Sequence, residues 1–251
     1  MNDGSACRAE GGAAATPQTA GASARERILV WDLPVRVFHW AMVLCFAGAY
    51  LSAESERWRL LHVTLGYTMA GLVVFRLLWG LIGTRHARFA DFVRGPRAVA
   101  RYVGAMLRGE PETTVGHNPV GALAIVALLG LTAIVAISGW ANYSDVGGHW
   151  TEDWHEGAAN AMLAVVGVHV AGVLLASLRQ RENLVAAMVT GRKRGPAGQA
   201  ITRRWRSVAL LMIVAMLGFG WLQWRSAPAS GGFAPAASGA ERQGGHDGDD
   251  D

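Results

Sequence analysis

The chain has 251 residues, 51% of them hydrophobic and only 17% charged, with a net charge of +4 and a mean hydropathy of +0.22. A soluble globular chain carries about 25% charged residues; here the apolar residues are also bunched into long blocks, which argues against a soluble fold and for a helical membrane protein. The basic charge comes from Arg clustered in particular loops, so it reads as a topology signal rather than a nucleic-acid footprint. Cys7 and Cys45 form neither a CxxC nor a CxxCH motif, which leaves no sign of a redox dithiol or of covalently attached haem. Cys45 falls in an apolar run, so no disulfide to Cys7 is expected.

Residues 1–26 are rich in Ala, Gly, Ser and Thr and lack an apolar h-region. They are expected to be a disordered cytoplasmic tail rather than a signal peptide. Five apolar runs follow: about Val35 to Ala53, Leu61 to Ile82, Pro119 to Trp140, Trp154 to Leu178 and Ser207 to Trp224. Asn118 before Pro119 is a good helix start, a capping side chain followed by Pro in the first turn. Arg85, Arg88, Arg94, Arg97, Arg101 and Arg108 fill the loop after the second run. A second basic segment runs from Arg179 to Arg206. The 54–60 loop is mixed in charge, and the 141–153 loop carries Asp145, Glu152 and Asp153 with no Lys or Arg. By the positive-inside rule the N-terminus is cytoplasmic and the C-terminus periplasmic, in a bacterial inner membrane. The expected architecture is all-α: a four-helix transmembrane bundle over 27–194, a basic linker at 195–206, a fifth transmembrane helix at 207–224 and a disordered acidic outer tail at 225–251.

The fourth run carries His155 and His169 inside an otherwise apolar segment. Fourteen helical residues turn through about 1400°, close to four full turns, and climb about 21 Å. The two imidazoles therefore share a face at two depths. An ionisable side chain inside a membrane helix is costly and points to function. The topology supplies two more histidines at corresponding depths. His62 enters with the second helix from the outer side, beside His155. His39 enters with the first helix from the cytoplasmic side, on the side toward which His169 lies. The depth match of the inner pair is looser than that of the outer one.

Facing imidazoles are how a bundle fills both axial positions of a haem iron, which favours electron transfer over chemistry at an open iron site. Two such sites stacked across the membrane would hold two non-covalent haem b groups in series. A flat macrocycle suits small residues nearby, and Gly66, Gly71, Gly167 and Gly172 are read as giving close approach on the second and fourth helices. Zinc is the alternative, but it prefers three or four clustered ligands, and these histidines separate into pairs.

The motifs around the histidines resemble the bacterial cytochrome b561 / nickel-hydrogenase b-type cytochrome family over roughly Val30 to Arg194. The carrying pieces are Phe38-His39-Trp40, then His62 with Gly66, then Phe75-Arg76-Leu77-Leu78-Trp79-Gly80. They continue with Trp154-His155-Glu156 and Ala159-Asn160, His169 fourteen residues on, Arg181-Glu182-Asn183-Leu184 and Gly191-Arg192-Lys193. The resemblance implies a four-helix haem core, two b-type haems ligated by His39, His62, His155 and His169, and electron exchange with quinone and redox partners. The fifth helix lies outside that core.

Arg76, fourteen residues past His62, is a candidate partner for a haem propionate, against a bland role snorkelling to the interface. His86, His117 and His149 read as loop histidines, with a quinone or proton role for the first two as the sharper reading. Asp153 and Glu156 suit the N-terminus of the fourth helix. The tryptophans fall mostly at span ends, as an aromatic belt does. The expected function is electron carriage between the quinone pool and a redox protein, either hydrogenase-like or a c-type cytochrome. Two other readings are a small-molecule oxidoreductase such as a superoxide:quinone oxidoreductase, and a histidine-based metal or proton transporter. Membrane lipid is an obligatory partner and nucleic acid is not expected.

Overall fold

A computed structural model of the chain describes residues 26–93, 95–110 and 115–226. The order is strand β1 (Glu26–Leu29), helices α1 (Leu33–Ser52), α2 (Arg59–Ile82), α3 (Phe89–Phe92), α4 (Pro96–Leu107), α5 (Pro119–Tyr143), α6 (His149–Gln180) and α7 (Leu184–Thr190), strand β2 (Arg192–Gly195), and helix α8 (Arg206–Ser226). Five helices, α1, α2, α5, α6 and α8, are long and apolar enough to cross a membrane, and they coincide with the five apolar runs. The expected tails, 1–26 and 225–251, lie outside the described residues except for Glu26, which opens β1, and residues 225–226, which end α8; Arg94 and residues 111–114 also lie outside them.

The helix starts follow from capping chemistry. Asp32 accepts a hydrogen bond from Val35 N at 2.9 Å, with Pro34 in the first turn of α1. Asn118 accepts from Gly121 N at 2.6 Å, with Pro119 opening α5. Each satisfies amide donors that the helix itself leaves open. Asn183 caps α7 in the same way.

The long helices form two close pairs, α1 with α2 and α5 with α6, joined where α2 meets α5, while α8 lies against α1 and α2. The backbone of α6 stays further from α1 and α2 and reaches them through side chains. Between the pairs sits an apolar cluster of Cys45, Met69, Leu72, Met162 and Met212, with Phe38, Phe46, Leu131 and Met216 packed against it. Large apolar side chains such as Leu44, Leu81, Val168 and Leu211 face outward, as a surface bathed in lipid tails requires.

At one end the chain is tied by elements that the apolar runs do not announce. β1 pairs antiparallel with β2, Glu26 opposite Gly195 and Leu29 opposite Arg192. This two-stranded ribbon is a small departure from a purely helical fold. The loop between α2 and α5 also folds, into α3 and α4, rather than remaining an open Arg-rich segment. The Gly191 carbonyl accepts from Val30 N at 2.8 Å and Trp31 N at 3.1 Å. Gly191 has φ +79°, and a Cβ there would lie 2.7 Å from the Trp31 carbonyl oxygen, so only glycine fits.

Asp32 anchors this ribbon end. It is fully buried, and beyond its cap its Oδ2 accepts from Trp79 Nε1 at 3.1 Å and Thr84 Oγ1 at 2.6 Å. One carboxylate therefore joins the start of α1 to the end of α2. Asp32→Ala is expected to lower unfolding free energy by about 2–4 kcal/mol, through loss of the cap and two stranded donors. Asp32→Asn, which keeps an acceptor, loses less. Denaturant unfolding in detergent checks both, and equal loss in the two variants would contradict the account.

Candidate functional site

The four histidines on the long helices come together as two groups. At the end away from the ribbon, His62 of α2 faces His155 of α6, ring centroids 6.0 Å apart and planes at 68°. His62 Nδ1 lies 2.8 Å from the Ala49 carbonyl of α1. His155 Nδ1 lies 2.9 Å from the Val135 carbonyl of α5. A carbonyl oxygen only accepts, so both Nδ1 atoms carry the proton and both Nε2 atoms keep a free lone pair. A carbonyl on one ring nitrogen fixes the orientation of an imidazole and leaves its other nitrogen able to bind a metal.

Gly139 on α5 makes room for the His155 ring. A Cβ there would stand 2.8 Å from His155 Cε1 and 2.9 Å from its Nδ1. Ser138 Oγ is a further 3.5 Å neighbour of that Nδ1.

Toward the ribbon end, His39 of α1 and His169 of α6 are close enough for their charges to interact. His39 Nδ1 is closed to solvent and has no hydrogen-bond partner. Beyond them lies a polar pocket. Arg76 is 2% exposed, with its guanidinium 4.8 Å from the Phe89 ring centroid and 5.9 Å from that of Phe92. His117 sits between Trp31 (4.4 Å) and Phe92 (4.7 Å). His86 is buried and lies 2.8 Å, through Nε2, from the Gln199 carbonyl.

His86 and His117 are thus packed into the ribbon end rather than lying free in loops. Their sequence neighbours gave little sign of this, because Trp31 and Gln199 come from the chain's first and last thirds. His149, Asp153 and Glu156 are exposed around the start of α6, and only Glu152 falls in its first turn.

The His117 imidazole is pushed down to about 3. Removal from water is the main cause, with the nearby Arg76, His86, Lys193 and His169 adding to it. Burial also lowers the Lys193 ammonium, partly offset by Glu182.

The spacing of the far pair would suit a metal ion held between the two rings. An imidazole nitrogen lies about 2 Å from a first-row metal and roughly 1 Å from its own ring centre, so rings on opposite sides of it would have centroids about 6 Å apart. The glycines read as giving a flat macrocycle close approach border open space. A Cβ built at Gly66, Gly71, Gly167 or Gly172 meets nothing within 4 Å. They leave space beside the histidine helices, as a flat group needs, and no neighbouring helix fills it. Among the described residues no three His, Cys, Asp or Glu side chains converge as a metal cage, unlike a zinc site.

The profile of the prokaryotic cytochrome b561 family matches residues 30–191. A relative from Bradyrhizobium diazoefficiens, named "Probable Ni/Fe-hydrogenase B-type cytochrome subunit", is 24% identical over 67% of this chain and 87% of its own length. A protein of the same name from Azotobacter vinelandii is 24% identical over 65% and 87%. An Escherichia coli K12 protein named "Probable Ni/Fe-hydrogenase 1 B-type cytochrome subunit" is 26% identical over 46% and 60%. No solved structure matches.

The neutral His117 makes the ribbon end sensitive to acid. Above pH 6.5 the folded and unfolded imidazoles are both neutral and the shift has no effect. Below it the unfolded chain takes up a proton that the folded chain refuses, so stability falls by up to about 1.4 kcal/mol per pH unit toward pH 3. His117→Gln removes that component. Unfolding midpoints in detergent from pH 8 to pH 4 should fall less steeply in the variant. Parallel slopes would show that His117 protonates freely in the folded protein.

Proposed function

We propose, because this chain belongs to the prokaryotic cytochrome b561 family, that it is a di-haem membrane electron carrier linking a hydrogenase-like redox protein to the quinone pool. The observation that carries this reading is the facing His62–His155 pair, both rings held by backbone carbonyls with Nε2 free, and a second pair one long helical interval deeper. His62 and His155 would hold the outer haem, and His39 and His169 the inner one. Haem b, when bound, supplies a one-electron iron couple.

The protein's own groups do the rest. Ala49 and Val135 carbonyls fix the outer imidazoles in one tautomer and orientation. A haem held by an imidazole from each of two helices would leave no place on the iron for substrate, which suits electron transfer. The apolar cluster of Met69, Leu72 and Met162 lies between the helix pairs and excludes water, which keeps the sites dry and rigid. His155 and His169 bring both ligand sets onto one helix about 21 Å apart along its axis. Arg76 would be the cationic partner of an inner haem propionate, a guanidinium being suited to bidentate carboxylate binding.

The hydrogenase-like partner follows from the names of the relatives. The ribbon end is read as cytoplasmic, because Arg85, Arg88, Arg97, Arg101, Arg179, Arg181 and Arg192 gather there. The opposite loops are acidic or mixed, which disfavours attraction of an anionic small substrate such as superoxide.

The purified membrane protein should contain two haems per chain, both extractable into acidic organic solvent. His62→Ala and His155→Ala should each halve the haem-to-protein ratio and leave the inner centre intact. Reduction of the bound haem by quinol in membranes completes the test, and a preparation without haem would refute the reading.

Gly139→Ala is a quieter version of the same experiment. Its new methyl group displaces the His155 ring without removing a ligand. It should shift the spectrum of the outer haem alone or cost that haem, as measured by low-temperature absorption and electron paramagnetic resonance. An unchanged outer signal would mean that Gly139 does not set the ring.

A further inference from the structure

The ribbon end holds a buried cation without a counter-ion in contact. Arg76 is almost wholly buried, its Nη1 has no hydrogen-bond partner, and no carboxylate among the described residues forms an ion pair with it. Asp32 is near enough to act on its charge. Yet both Asp32 oxygens are already engaged, Oδ1 by Val35 N and Oδ2 by Trp79 Nε1 and Thr84 Oγ1. An unpaired buried charge is expensive, far more than an unpaired neutral donor.

A second polar atom nearby is in the same condition. His117 Nδ1 is closed to solvent and unpartnered. Arg76 and His117 both pack on Phe92, and each lies within electrostatic reach of the other. His86, Lys193 and His169 also surround His117, so the charged and titratable groups acting on it are cationic or neutral. Such a pocket lacks one thing, an anionic oxygen acceptor.

The neighbourhood of His169 says where that acceptor comes from. A haem in a membrane must turn its two carboxylates toward a polar end, because charge in hydrocarbon is costly. For a haem between His39 and His169 the near polar end is this pocket.

We propose that Arg76 Nη1 and His117 Nδ1 are paired donors to one propionate of the inner haem, which makes His117 a haem-positioning residue alongside Arg76. The proposal rests on the di-haem reading above and adds a residue and a contact to it. The pocket is closed by Phe89, whose ring lies over Gly80, where a Cβ would stand 2.0 Å from Phe89 Cε2. Phe89 therefore seats against the helix and keeps water from the guanidinium.

The test uses the purified holoprotein and two readouts that do not depend on turnover. Resonance Raman spectra report propionate bending modes. Transfer of haem to excess apomyoglobin reports how fast each haem is lost. His117→Phe and Arg76→Gln should each shift the propionate mode of one haem. Each should also speed loss of the inner haem about tenfold or more, the worth of one charge-assisted hydrogen bond. The outer haem should be unaffected, which doubles as the control for folding. His117→Gln retains an N–H donor and should restore much of the retention, whereas a merely space-filling role would be served as well by Phe.

If two haems are present but both variants leave the propionate mode and the loss rate unchanged, the proposal is overturned and the di-haem reading stands. If the wild-type protein holds one haem and His169→Ala loses none, the reading and the proposal fall together.

Discussion

A polar atom in hydrocarbon has to find a partner, and that constraint organises this molecule. An imidazole has two nitrogens, so a membrane histidine is acceptable when one is bonded to protein and the other to a cofactor. His62 and His155 meet the first half of that condition through the Ala49 and Val135 carbonyls. Those carbonyls sit on α1 and α5, not on the helices that carry the rings. The geometry of the far pair therefore needs all four helices of the core, even though only two contribute rings. The acceptors are backbone groups, so what α1 and α5 must supply is position and, at Gly139, room for the His155 ring.

The sequence made the spans legible because each is a single long apolar block with charge at its ends. It also made the 14-residue interval legible, since helical periodicity alone puts His155 and His169 on one face. What it hid depends on distant partners. β1 and β2 are four residues each, separated by the whole helical core, and Arg-Lys-Arg-Gly carries no alternating apolar signal. His86 and His117 looked solvent-exposed because their covering residues, Trp31 and Gln199, are far away in the chain. The glycines were legible as small residues, but small residues on membrane helices also bring helices together; that these four border open space depends on where α6 is held relative to α2.

The loose depth of the inner pair has a structural reason. Measured from Arg179, His169 looks too deep to meet His39. But α6 has 32 residues, about 48 Å of helix, against a hydrocarbon slab of about 30 Å. Part of it therefore runs beyond the slab unless the helix tilts strongly, so a count from one helix end does not fix a depth. α6 stops in a left-handed turn at Arg181 (φ 49°), and α7 folds back toward the start of α1. There Arg36 donates to the Met188 and Val189 carbonyls. The ribbon and α7 thus tie the end of α6 to the beginning of α1, the two helices that carry His169 and His39.

The two ends of the bundle solve the same problem with different materials. At the far end the rings are held by backbone carbonyls and a glycine gap, groups that carry no net charge and do not titrate. At the ribbon end the surroundings are Arg76, His86, His117 and Lys193, with Asp32 holding the frame. The far end therefore presents a shell without net charge, and the ribbon end one that carries the buried Arg76 cation. Asp32 matters there even without touching a histidine, because its oxygens are spent on Val35 N, Trp79 Nε1 and Thr84 Oγ1. That leaves the Arg76 charge only partly offset within the protein, and a buried charge of that kind calls for an anionic partner.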